Sequence, residues 1–516
     1  MTEDHSFTTA IETELKLAVP VELLARLERH PALQSAAQAS AHRLHAIYYD
    51  TRTCDLWAHG LALRVRRDGH QWTQTLKGGG SADAGLHRRM ELEVPVPGPA
   101  PEPALFDATD LGATLVALTR GKKLERVCSM RFDRSARLLE LAPDVVIEAS
   151  LDRGHIRSGK HTLPLCELEL ELKAGTPAAL YDCAAKLLAT LPLTLENRSK
   201  AARGYALYRG APSAPVKAVA IALQPAFTAS DAFKTIVRSS LAHLQANERG
   251  MQDEADPEYL HQLRVAVRRL RSAFSLFAPM LGDAAAPLTG EMMWLAHAWG
   301  PARDWDVFME ETLTPVGLAF PEHAGLREYG QRFSYRRQRA RRNAGRAIAS
   351  RRYQRFLMSM GAWLEHEGWR DQATEDAARL AAQPIREYTR EVLAARYARV
   401  RKRGRRLAQR TPEELHRLRI AIKKLRYASH FFSGLYDADA VAGLEEQLAR
   451  LQDVLGALND AATVRELVDG VTPVRTSREI AEARGILLGW SRGRAELMKH
   501  DLGRAWKAFR SRDTYW

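Results

Sequence analysis

Acidic and basic residues alternate in the segment Glu12-Thr13-Glu14-Leu15-Lys16 near the start of the chain. Successive side chains of a β-strand point to opposite faces, so Glu12, Glu14 and Lys16 would share one face. Two carboxylates beside an ammonium could bind a divalent cation and an anion together, because hard cations such as Mg²⁺ prefer oxygen ligands. An amphipathic strand with a wet, charged face is the competing interpretation, and this segment alone favours it.

The same two-residue spacing of charge recurs along the first 210 residues. Charged residues share one face at Arg64 and Arg66, at Arg89, Glu91 and Glu93, at Glu148 and Asp152, and at Glu167, Glu169, Glu171 and Lys173. A merely solvated surface would mix signs more freely. Charges inside a barrel are costly unless they are paired or bound to a ligand, so this pattern indicates a ligand. Carboxylates for metal, with Arg and Lys for an oxyanion, are typical of phosphoryl transfer.

About eight strands with short turns must position these residues, which predicts a barrel or a closed pair of sheets. The predicted strands are 11–19, 45–50, 61–66, 71–77, 89–96, 126–132, 138–141, 145–152 and 165–173. Helical periodicity predicts short helices over 109–119 and 178–191. The run Gly78-Gly79-Gly80-Ser81 is interpreted as a flexible loop.

The ordered set of motifs resembles the CYTH family, the triphosphate tunnel metalloenzymes, over about 200 residues. The motifs are Glu12-x-Glu14-x-Lys16, Tyr48-Tyr49-Asp50-Thr51, Leu63-Arg64-Val65-Arg66, Thr75-Leu76-Lys77, Glu91-Leu92-Glu93, Asp152-Arg153-Gly154 and Glu167 to Lys173. Each motif is weak by itself, and the ordered set is specific. The resemblance implies an eight-stranded antiparallel β tunnel that binds a triphosphate together with Mg²⁺ or Mn²⁺.

The resemblance also implies a role for individual residues of this chain. The catalytic set is Glu12, Glu14, Lys16, Arg64, Arg66 and Lys77. Substrate contacts in the tunnel are Lys16, Arg64, Arg66, Lys77, Arg89, Arg131 and Lys200. Metal ligands are Glu12, Glu14, Asp152, Glu167, Glu169 and Glu171, with Glu91 and Glu93 as less specific candidates.

Residues 211–516 carry almost all of the excess positive charge. They contain 49 Lys and Arg against 36 Asp and Glu, whereas residues 1–210 contain 27 against 26. A charge excess concentrated in one half indicates an anionic partner for that half. The proline-containing segment 210–226 is interpreted as a linker, and helical periodicity begins near Ala229, with Ser230 as the expected N-cap.

A helical segment of this second half occurs twice, since His261–Arg271 returns as His416–Arg426. The repeat predicts an internal duplication into two pseudo-symmetric helical bundles, about 227–370 and 380–516. Helical spacing places one stripe of basic residues in each copy, namely His261, Arg264, Arg268 and Arg271, and His416, Arg419, Lys423 and Arg426. Two further stripes contain Arg332, Arg336, Arg339 and Arg346, and Arg396, Arg399, Arg403, Arg406 and Arg410. Solubility explains any single stripe, but four stripes favour a shared anion-binding groove.

The second half resembles the CHAD family, helical domains with recurring histidines, over roughly residues 227–510. The resemblance implies inorganic polyphosphate as the ligand. The expected contacts are His261, Arg264, Arg268, Arg271, Arg336, Arg339, Arg399, Arg403, His416, Arg419, Lys423 and Arg426. Metal binding by His261 and His416 is the less favoured interpretation, because cysteine is absent from this half. Asp304, Asp306 and Asp460 are expected to orient basic side chains.

These inferences predict an α+β protein with a tunnel domain at 1–209, a linker at 210–226 and an all-α domain at 227–516. The predicted activity is metal-dependent hydrolysis of tripolyphosphate to pyrophosphate and phosphate, next to a polyphosphate-binding domain. One alternative is a non-catalytic polyphosphate-binding or granule-associated protein. Another is a tunnel enzyme for an organic triphosphate such as thiamine triphosphate or ATP. Nucleic acid is the least favoured partner, because few aromatics lie among the arginines.

Compartment and membrane attachment are constrained by cysteine usage and hydrophobic runs. The four cysteines form no CxxC pair, which favours a reducing cytoplasm over a disulfide framework or a zinc site. The first residues lack the pattern of a secretory signal, and no apolar run is long enough to span a bilayer. We therefore expect a cytoplasmic protein with no membrane partner. The sequence leaves its oligomeric state open.

Overall fold

The computed structural model describes residues 8–34, 36–210, 214–253 and 256–516. The chain divides into two compact units, each with its own hydrophobic core. The first contains Met1–Ala214 and Arg351–Glu367, and the second contains Pro215–Ser350 and Gly368–Trp516. This division places 351–367 with the first unit, although the predicted boundaries assign those residues to the helical half. The boundaries 1–209, 210–226 and 227–516 stay predictions.

The first unit is built on a closed antiparallel barrel. Its strands are β1 (Thr8–Ala18), β2 (Ala36–Thr51), β3 (Ala62–Asp68), β4 (Gln71–Asp83), β5 (Leu86–Val96), β6 (Leu124–Ala142), β7 (Val145–Ser158), β8 (His161–Ala174) and the short β9 (Thr194–Leu195). The sheet order is β5-β4-β3-β2-β6-β7-β8-β1-β9, and a further pairing of β5 with β1 closes an eight-stranded barrel. The predicted eight-stranded tunnel is confirmed.

Helices surround this barrel and form the whole of the second unit. The helices are α1 (Leu24–Glu28), α2 (Asp55–Ala58), α3 (Asp110–Thr119), α4 (Ala178–Thr190), α5 (Lys200–Arg209), α6 (Ala229–Ala246), α7 (Glu248–Asp253), α8 (Pro257–Leu276), α9 (Ala278–Leu281), α10 (Ala286–Phe308), α11 (Thr314–Ala319), α12 (Ala324–Ile348), α13 (Arg351–Glu365), α14 (Glu375–Ala382), α15 (Ile385–Arg403), α16 (Pro412–Phe432), α17 (Ala438–Asp469) and α18 (Arg478–Arg510). A π-helical turn at Met309–Leu313 follows α10 directly. The predicted α+β class is therefore confirmed.

The strand register explains which residues face the lumen. Directly paired residues lie on the same side of a sheet, and neighbours in sequence lie on opposite sides. Glu14 pairs with Glu171, Lys16 pairs with Glu169, and Ala18 pairs with Glu167. The alternate side chains, such as those of Leu15 and Leu17, are fully buried on the outer face of the barrel. Apolar packing on that face fixes the register and turns the charged residues inward.

Three local predictions are wrong in the described residues. Gly78–Ser81 forms part of β4 and pairs with β5, with a bulge between Gly78 and Gly80, so it is not a loop. The predicted strands 126–132 and 138–141 are one continuous strand, β6, because β2 and β7 pair with it along its length. Thr228 is the N-cap of α6 in place of Ser230, since its side chain and that of Asp231 form a capping box.

Helix α13 packs on the barrel unit, against α4 and β9. Gln354 accepts a hydrogen bond from the Leu195 backbone N–H at 3.1 Å, and Arg88 Nη2 forms an ion pair with Glu365 Oε2 at 2.6 Å. Gly361 lies against the ring of Tyr181, where an added Cβ would come within 2.4 Å of ring atoms. The first unit therefore includes a helix that the sequence supplies about 150 residues after the last strand.

The second unit repeats one packing arrangement around the duplicated segment. Helix α8 packs between α6 and α10, while α16 packs between α15 and α17, and α8 and α16 contact each other. Each of the two repeated helices starts at a capped proline turn, with Asp256 and Thr411 as the N-caps. The two repeated helices thus have equivalent neighbours, and the duplication into bundles at about 227–370 and 380–516 stays a prediction.

Candidate functional site

The acidic wall of the lumen comes from β7 and β8. Asp152, Glu167 and Glu169 are buried, and one carboxylate oxygen of each lies within 4.8 Å of the others. Lys200, from the first turn of α5, places its ammonium among them, with Nζ 2.7 Å from Asp152 Oδ2 and 2.8 Å from Glu169 Oε1. Burial opposes the charge on Lys200, but attraction to the three carboxylates raises its pKa overall. Lys200 thus neutralises part of this wall.

Glu12, Glu14 and Lys16 of β1 point their side chains into the lumen, as the alternation predicted. Lys16 Nζ lies 2.7 Å from Glu14 Oε2 and also forms an ion pair with Glu169. Burial raises the pKa of Glu14 to about 7, and repulsion from Glu169 and Glu12 adds to this effect while Lys16 opposes it. Burial would also raise the pKa of Glu12, but attraction to Lys77 and Lys16 lowers it to about 2. Two carboxylates of one strand therefore differ widely in acidity.

The opposite wall contains the basic residues of β3 and β4. Lys77 Nζ lies 2.5 Å from Glu12 Oε2 and 3.2 Å from Glu91 Oε2. Arg64 Nη2 lies 3.3 Å from both Glu91 and Glu93, and also donates to Thr75 Oγ1 at 3.0 Å. This wall is therefore cationic but already ion-paired, so an anion must displace carboxylates or arrive with added positive charge.

Arg134 of β6 is a lumen residue that the sequence reasoning missed. It makes two hydrogen bonds of 2.7 Å with the carboxylate of Asp152, and a third of 2.6 Å with Glu169. Attraction to Asp152 and Glu169 outweighs burial and raises its pKa. A longer prediction for β6 would have found it, because Phe132, Arg134 and Ala136 alternate on one face. The planar guanidinium fork matches a carboxylate or a phosphate.

The structure brings most predicted tunnel residues into one lumen, with one exception. Glu12, Glu14, Lys16, Arg64, Arg66, Lys77, Arg89, Asp152, Glu167, Glu169, Glu171 and Lys200 lie on lumen-facing register positions or reach them from α5. Arg131 pairs with His45, on the side opposite Phe132 and Arg134, and is exposed. Arg131 therefore lies outside the lumen.

Helix α5 closes one end of the barrel. Its Ala201 and Tyr205 pack in one apolar cluster with inward-facing residues of β2 and β6, including Tyr48, Cys128 and Met130. The Tyr205 hydroxyl donates to Asp50 Oδ2 at 2.8 Å, which fixes the helix on the barrel. Side-chain exposure rises away from this end. The side chains of Asp152 and Glu167 are 0% exposed, whereas those of Glu93 and Lys173 are 33% and 38% exposed. The lumen therefore opens at the end opposite α5.

The lumen carboxylates have the donor chemistry of a Mg²⁺ or Mn²⁺ site. Both ions prefer carboxylate oxygens, and Asp152, Glu167 and Glu169 each place one such oxygen within 4.8 Å of the others. Burial, with repulsion from Glu169 and Glu12, raises the pKa of Glu14. A divalent cation beside them would relieve that repulsion, so the residues fit such an ion.

A second candidate site is a cavity of about 630 Å³ within the helical unit. It brings together five predicted polyphosphate contacts, which are His261, Arg264, Arg268, Arg419 and Lys423, and adds Arg303 and Arg494. His261 Nδ1, Arg264 Nε and Arg419 Nε are buried polar atoms without a hydrogen-bond partner within the described chain. Such atoms are costly unless a ligand or water satisfies them.

The other predicted polyphosphate contacts lie elsewhere in the helical unit. Arg336 and Arg339 line a separate shallow cavity with Arg332 and Tyr335. Arg271, Arg399, Arg403, His416 and Arg426 line neither of these two cavities. Asp306 is buried and pairs with Arg337 and Arg341, at 2.6 and 3.5 Å, which agrees with its predicted orienting role. Only some residues of the two repeated basic stripes therefore line the same cavity.

Comparison with known families accounts for both units. A family model described as CYTH domain matches residues 10–205, and one described as CHAD domain matches residues 235–469. The chain is a CYTH domain followed by a CHAD domain. This confirms both resemblances, and in the same order. Within the described residues, no helix has the length and apolar character needed to cross a membrane.

Relatives and solved structures resemble the two domains separately or together. An inorganic triphosphatase of Haemophilus influenzae is 30% identical over 201 residues, which are 38% of this chain and 54% of that protein. The chain thus spans about half the length of that curated relative. An uncharacterized protein of Mycobacterium tuberculosis is 25% identical over 91% of this chain and 90% of its own. The crystal structure of the CHAD domain from Ricinus communis is 31% identical, with a TM-score of 0.50 over 59% of this chain and 99% of that domain.

Proposed function

We propose that the CYTH domain is a metal-dependent inorganic triphosphatase that hydrolyses tripolyphosphate to pyrophosphate and phosphate. The supporting observation is a closed lumen in which a carboxylate wall faces a wall of Arg64 and Lys77, with Arg134 and Lys200 at the acidic side. The Haemophilus influenzae relative, an inorganic triphosphatase, matches over this domain. Condensed phosphate needs both walls, because it binds cationic side chains directly and carboxylates through a cation.

Some lumen residues bind the phosphate chain, and others orient the attacking water. Arg64, Arg66 and Lys77 bind phosphate oxygens and hold the chain in line for attack. Carboxylates of the acidic wall, Asp152, Glu167 and Glu169 among them, would hold Mg²⁺ or Mn²⁺, which would supply charge neutralisation at the phosphate oxygens. A carboxylate of the acidic wall orients the attacking water and accepts its proton. A new phosphorus–oxygen bond forms as the bond between the attacked phosphorus and the bridging oxygen breaks. The basic side chains stabilise the negative charge that develops on the leaving pyrophosphate.

A substrate panel tests the reaction and its alternatives. Phosphate release from tripolyphosphate, long-chain polyphosphate, ATP and thiamine triphosphate is measured with and without divalent metal. We expect tripolyphosphate to be hydrolysed fastest, and only with metal. Faster release from ATP or thiamine triphosphate would assign an organic substrate, and no release from any member would leave a binding protein.

Glu14→Gln is the variant that tests the metal-binding wall. The amide keeps the size of the side chain but removes a charged oxygen ligand, so metal-dependent hydrolysis should fall at least a hundredfold while the melting temperature is kept. Glu125→Gln is a matched control, because Glu125 lies exposed on β6. Wild-type hydrolysis by Glu14→Gln would contradict the assignment of the site.

We also propose that the CHAD domain binds inorganic polyphosphate at the cavity around Arg264, Arg268 and Arg419. The unpartnered nitrogens of Arg264 and Arg419 support this, because a phosphate oxygen satisfies such donors. Binding of polyphosphate to Arg419→Ala should weaken strongly, and binding to Arg379→Ala, an exposed arginine on α14, should not. Equal affinity of the two variants would contradict this site.

A further inference from the structure

The CHAD cavity has two chemically different ends along α17. Gly456 lies near Arg419, since an added Cβ would be 3.7 Å from Arg419 Nη2. Leu467, eleven residues later on the same helix, lies among apolar residues. At 1.5 Å per residue this separates the two ends by about 16 Å. The cavity is therefore an elongated groove and not a uniform basic pocket.

One end is suited to phosphate. Arg264 and Arg268 of α8 meet Arg419 and Lys423 of α16 there. Arg268 Nε donates to the Tyr427 hydroxyl at 3.2 Å. Burial and the nearby arginines Arg268 and Arg303 lower the pKa of Arg264 to about 10, so these cations crowd each other without enough negative charge. An anion at this end would relieve the repulsion.

The other end is suited to a planar apolar group. Phe308, Val464 and Leu467 belong to one hydrophobic cluster and also line the cavity. Trp490 of α18 also lines the cavity and remains 40% exposed. An ion pair of 3.1 Å between Arg494 and Glu311 joins α18 to the turn after α10 and holds this wall in place. An exposed indole in the lining of a cavity that also has apolar residues provides a stacking surface.

A linear phosphate chain does not match the whole groove. Asp304, Asp453 and Asp460 also line it, and their carboxylates would repel a polyanion that ran from end to end. Carboxylates can instead accept hydrogen bonds from amino or hydroxyl groups. The groove volume, about 630 Å³, falls in the usual range for sites that enclose a small organic molecule.

We propose that this groove binds a nucleoside polyphosphate, with the phosphate chain at the arginine end and the base stacked on Trp490. The proposal rests on the proposed phosphate binding of the CHAD domain and adds an organic group to its ligand. Phosphate contacts provide most of the affinity, and the aromatic end discriminates nucleotides from inorganic polyphosphate. Carboxylates of the lining accept hydrogen bonds from the sugar and the base.

The test uses the full chain with Arg64→Ala in the tunnel, so that binding to the lumen is weakened in every arm. Binding of ATP and of long-chain polyphosphate is measured by calorimetry in EDTA, where metal-dependent hydrolysis is absent. Trp490→Leu should weaken ATP binding about tenfold, as expected for loss of one stacked base, and leave polyphosphate binding within twofold. Trp490→Phe retains an aromatic ring and should keep most of the ATP affinity.

The outcomes separate this proposal from the one on which it rests. Arg419→Ala should weaken both ligands, because it acts at the shared phosphate end. Polyphosphate binding with no ATP binding, or ATP binding that Trp490→Leu leaves unchanged, overturns the nucleotide proposal alone. Failure of polyphosphate to bind while ATP binds through Trp490 would instead contradict the polyphosphate function. Circular dichroism melting of each variant checks that half-exposed Trp490 is not needed for folding.

Discussion

Arg131 and Arg134 lie on opposite sides of β6, and this contrast makes a test of the lumen at the scale of single residues. Arg134 binds Asp152 and Glu169 inside the barrel, whereas Arg131 is exposed outside it. Arg134→Ala should lower kcat/KM for tripolyphosphate by about a hundredfold, the usual effect of losing one charge-stabilising donor. Arg131→Ala on the same strand should leave kcat/KM unchanged. Equal losses in the two variants would mean that the ligand does not enter the lumen.

The proposed polyphosphate binding is expected to depend on pH through Lys423. Burial, with repulsion from Arg419 and Arg268, lowers the pKa of Lys423 to about 8 in the free protein. A bound anion favours the charged ammonium and raises that pKa, so binding takes up a proton above pH 8. Affinity should therefore fall by up to tenfold per pH unit between pH 8 and the higher pKa of the complex.

Calorimetry in two buffers with different ionisation heats measures this proton uptake. In Lys423→Gln the uptake near pH 9 should disappear, and the affinity should be lower and flatter with pH. A pH dependence that is the same in wild type and Lys423→Gln would show that another group titrates. Measurements at constant ionic strength are needed, because phosphate binding also depends on salt.

At the scale of elements, one glycine of α13 and one of α12 have opposite expected effects on stability when replaced by alanine. Gly361 of α13 touches the ring of Tyr181, whose hydroxyl donates to Ala84 O at 3.1 Å. Gly361→Ala should therefore destabilise the protein, by about 1–3 kcal/mol, as overpacking does. Gly345 of α12 has no atom within 4 Å of an added Cβ, so Gly345→Ala should stabilise its helix by about 0.5–1 kcal/mol. Denaturant unfolding of both variants measures the sign, and equal signs would contradict the packing of α13.

Strand and helix periodicity predicts much of the site but not all of its members. The two-residue alternation was sufficient for Glu14, Lys16 and Arg64, because each lies mid-strand with apolar neighbours. Arg134 was missed because the strand was predicted to end at Phe132, and the pairing of β6 with β2 and β7 decides that it continues. The charged side chains that each lumen residue faces depend on the register between strands distant in sequence. Alternation alone does not specify that register.

Helix α13 illustrates the same limit for whole elements. Its apolar spacing indicates that one face is buried, but not against which part of the chain. Contacts of Gln354 and Glu365 with the barrel unit come from residues 195 and 88, and no local pattern encodes them. The cavity around Arg264 was partly predictable, since the repeat placed both basic stripes on equivalent helices, whereas Trp490 in its lining carried no such signal.

At the scale of the whole molecule, the barrel unit is expected to need residues 351–367. A protein that ends after residue 214 lacks α13 and exposes the surface of α4 and β9 on which that helix packs. This fragment should melt at a lower temperature than the first unit of the full chain, or aggregate. Joining residues 351–367 to its end through a flexible linker should restore stability. A fragment 1–214 as stable as the fused protein would contradict this role of α13.

The apolar seal that α5 forms at one end of the barrel restricts how any occupant can be threaded. A linear chain can enter by one terminus and reach the acidic wall, whereas a ring of phosphates offers no terminus to insert. A product that forms near the closed end must also leave through the open end, past any phosphate still bound there. Cyclic trimetaphosphate is thus expected to resist this chamber even though its composition matches that of a linear substrate.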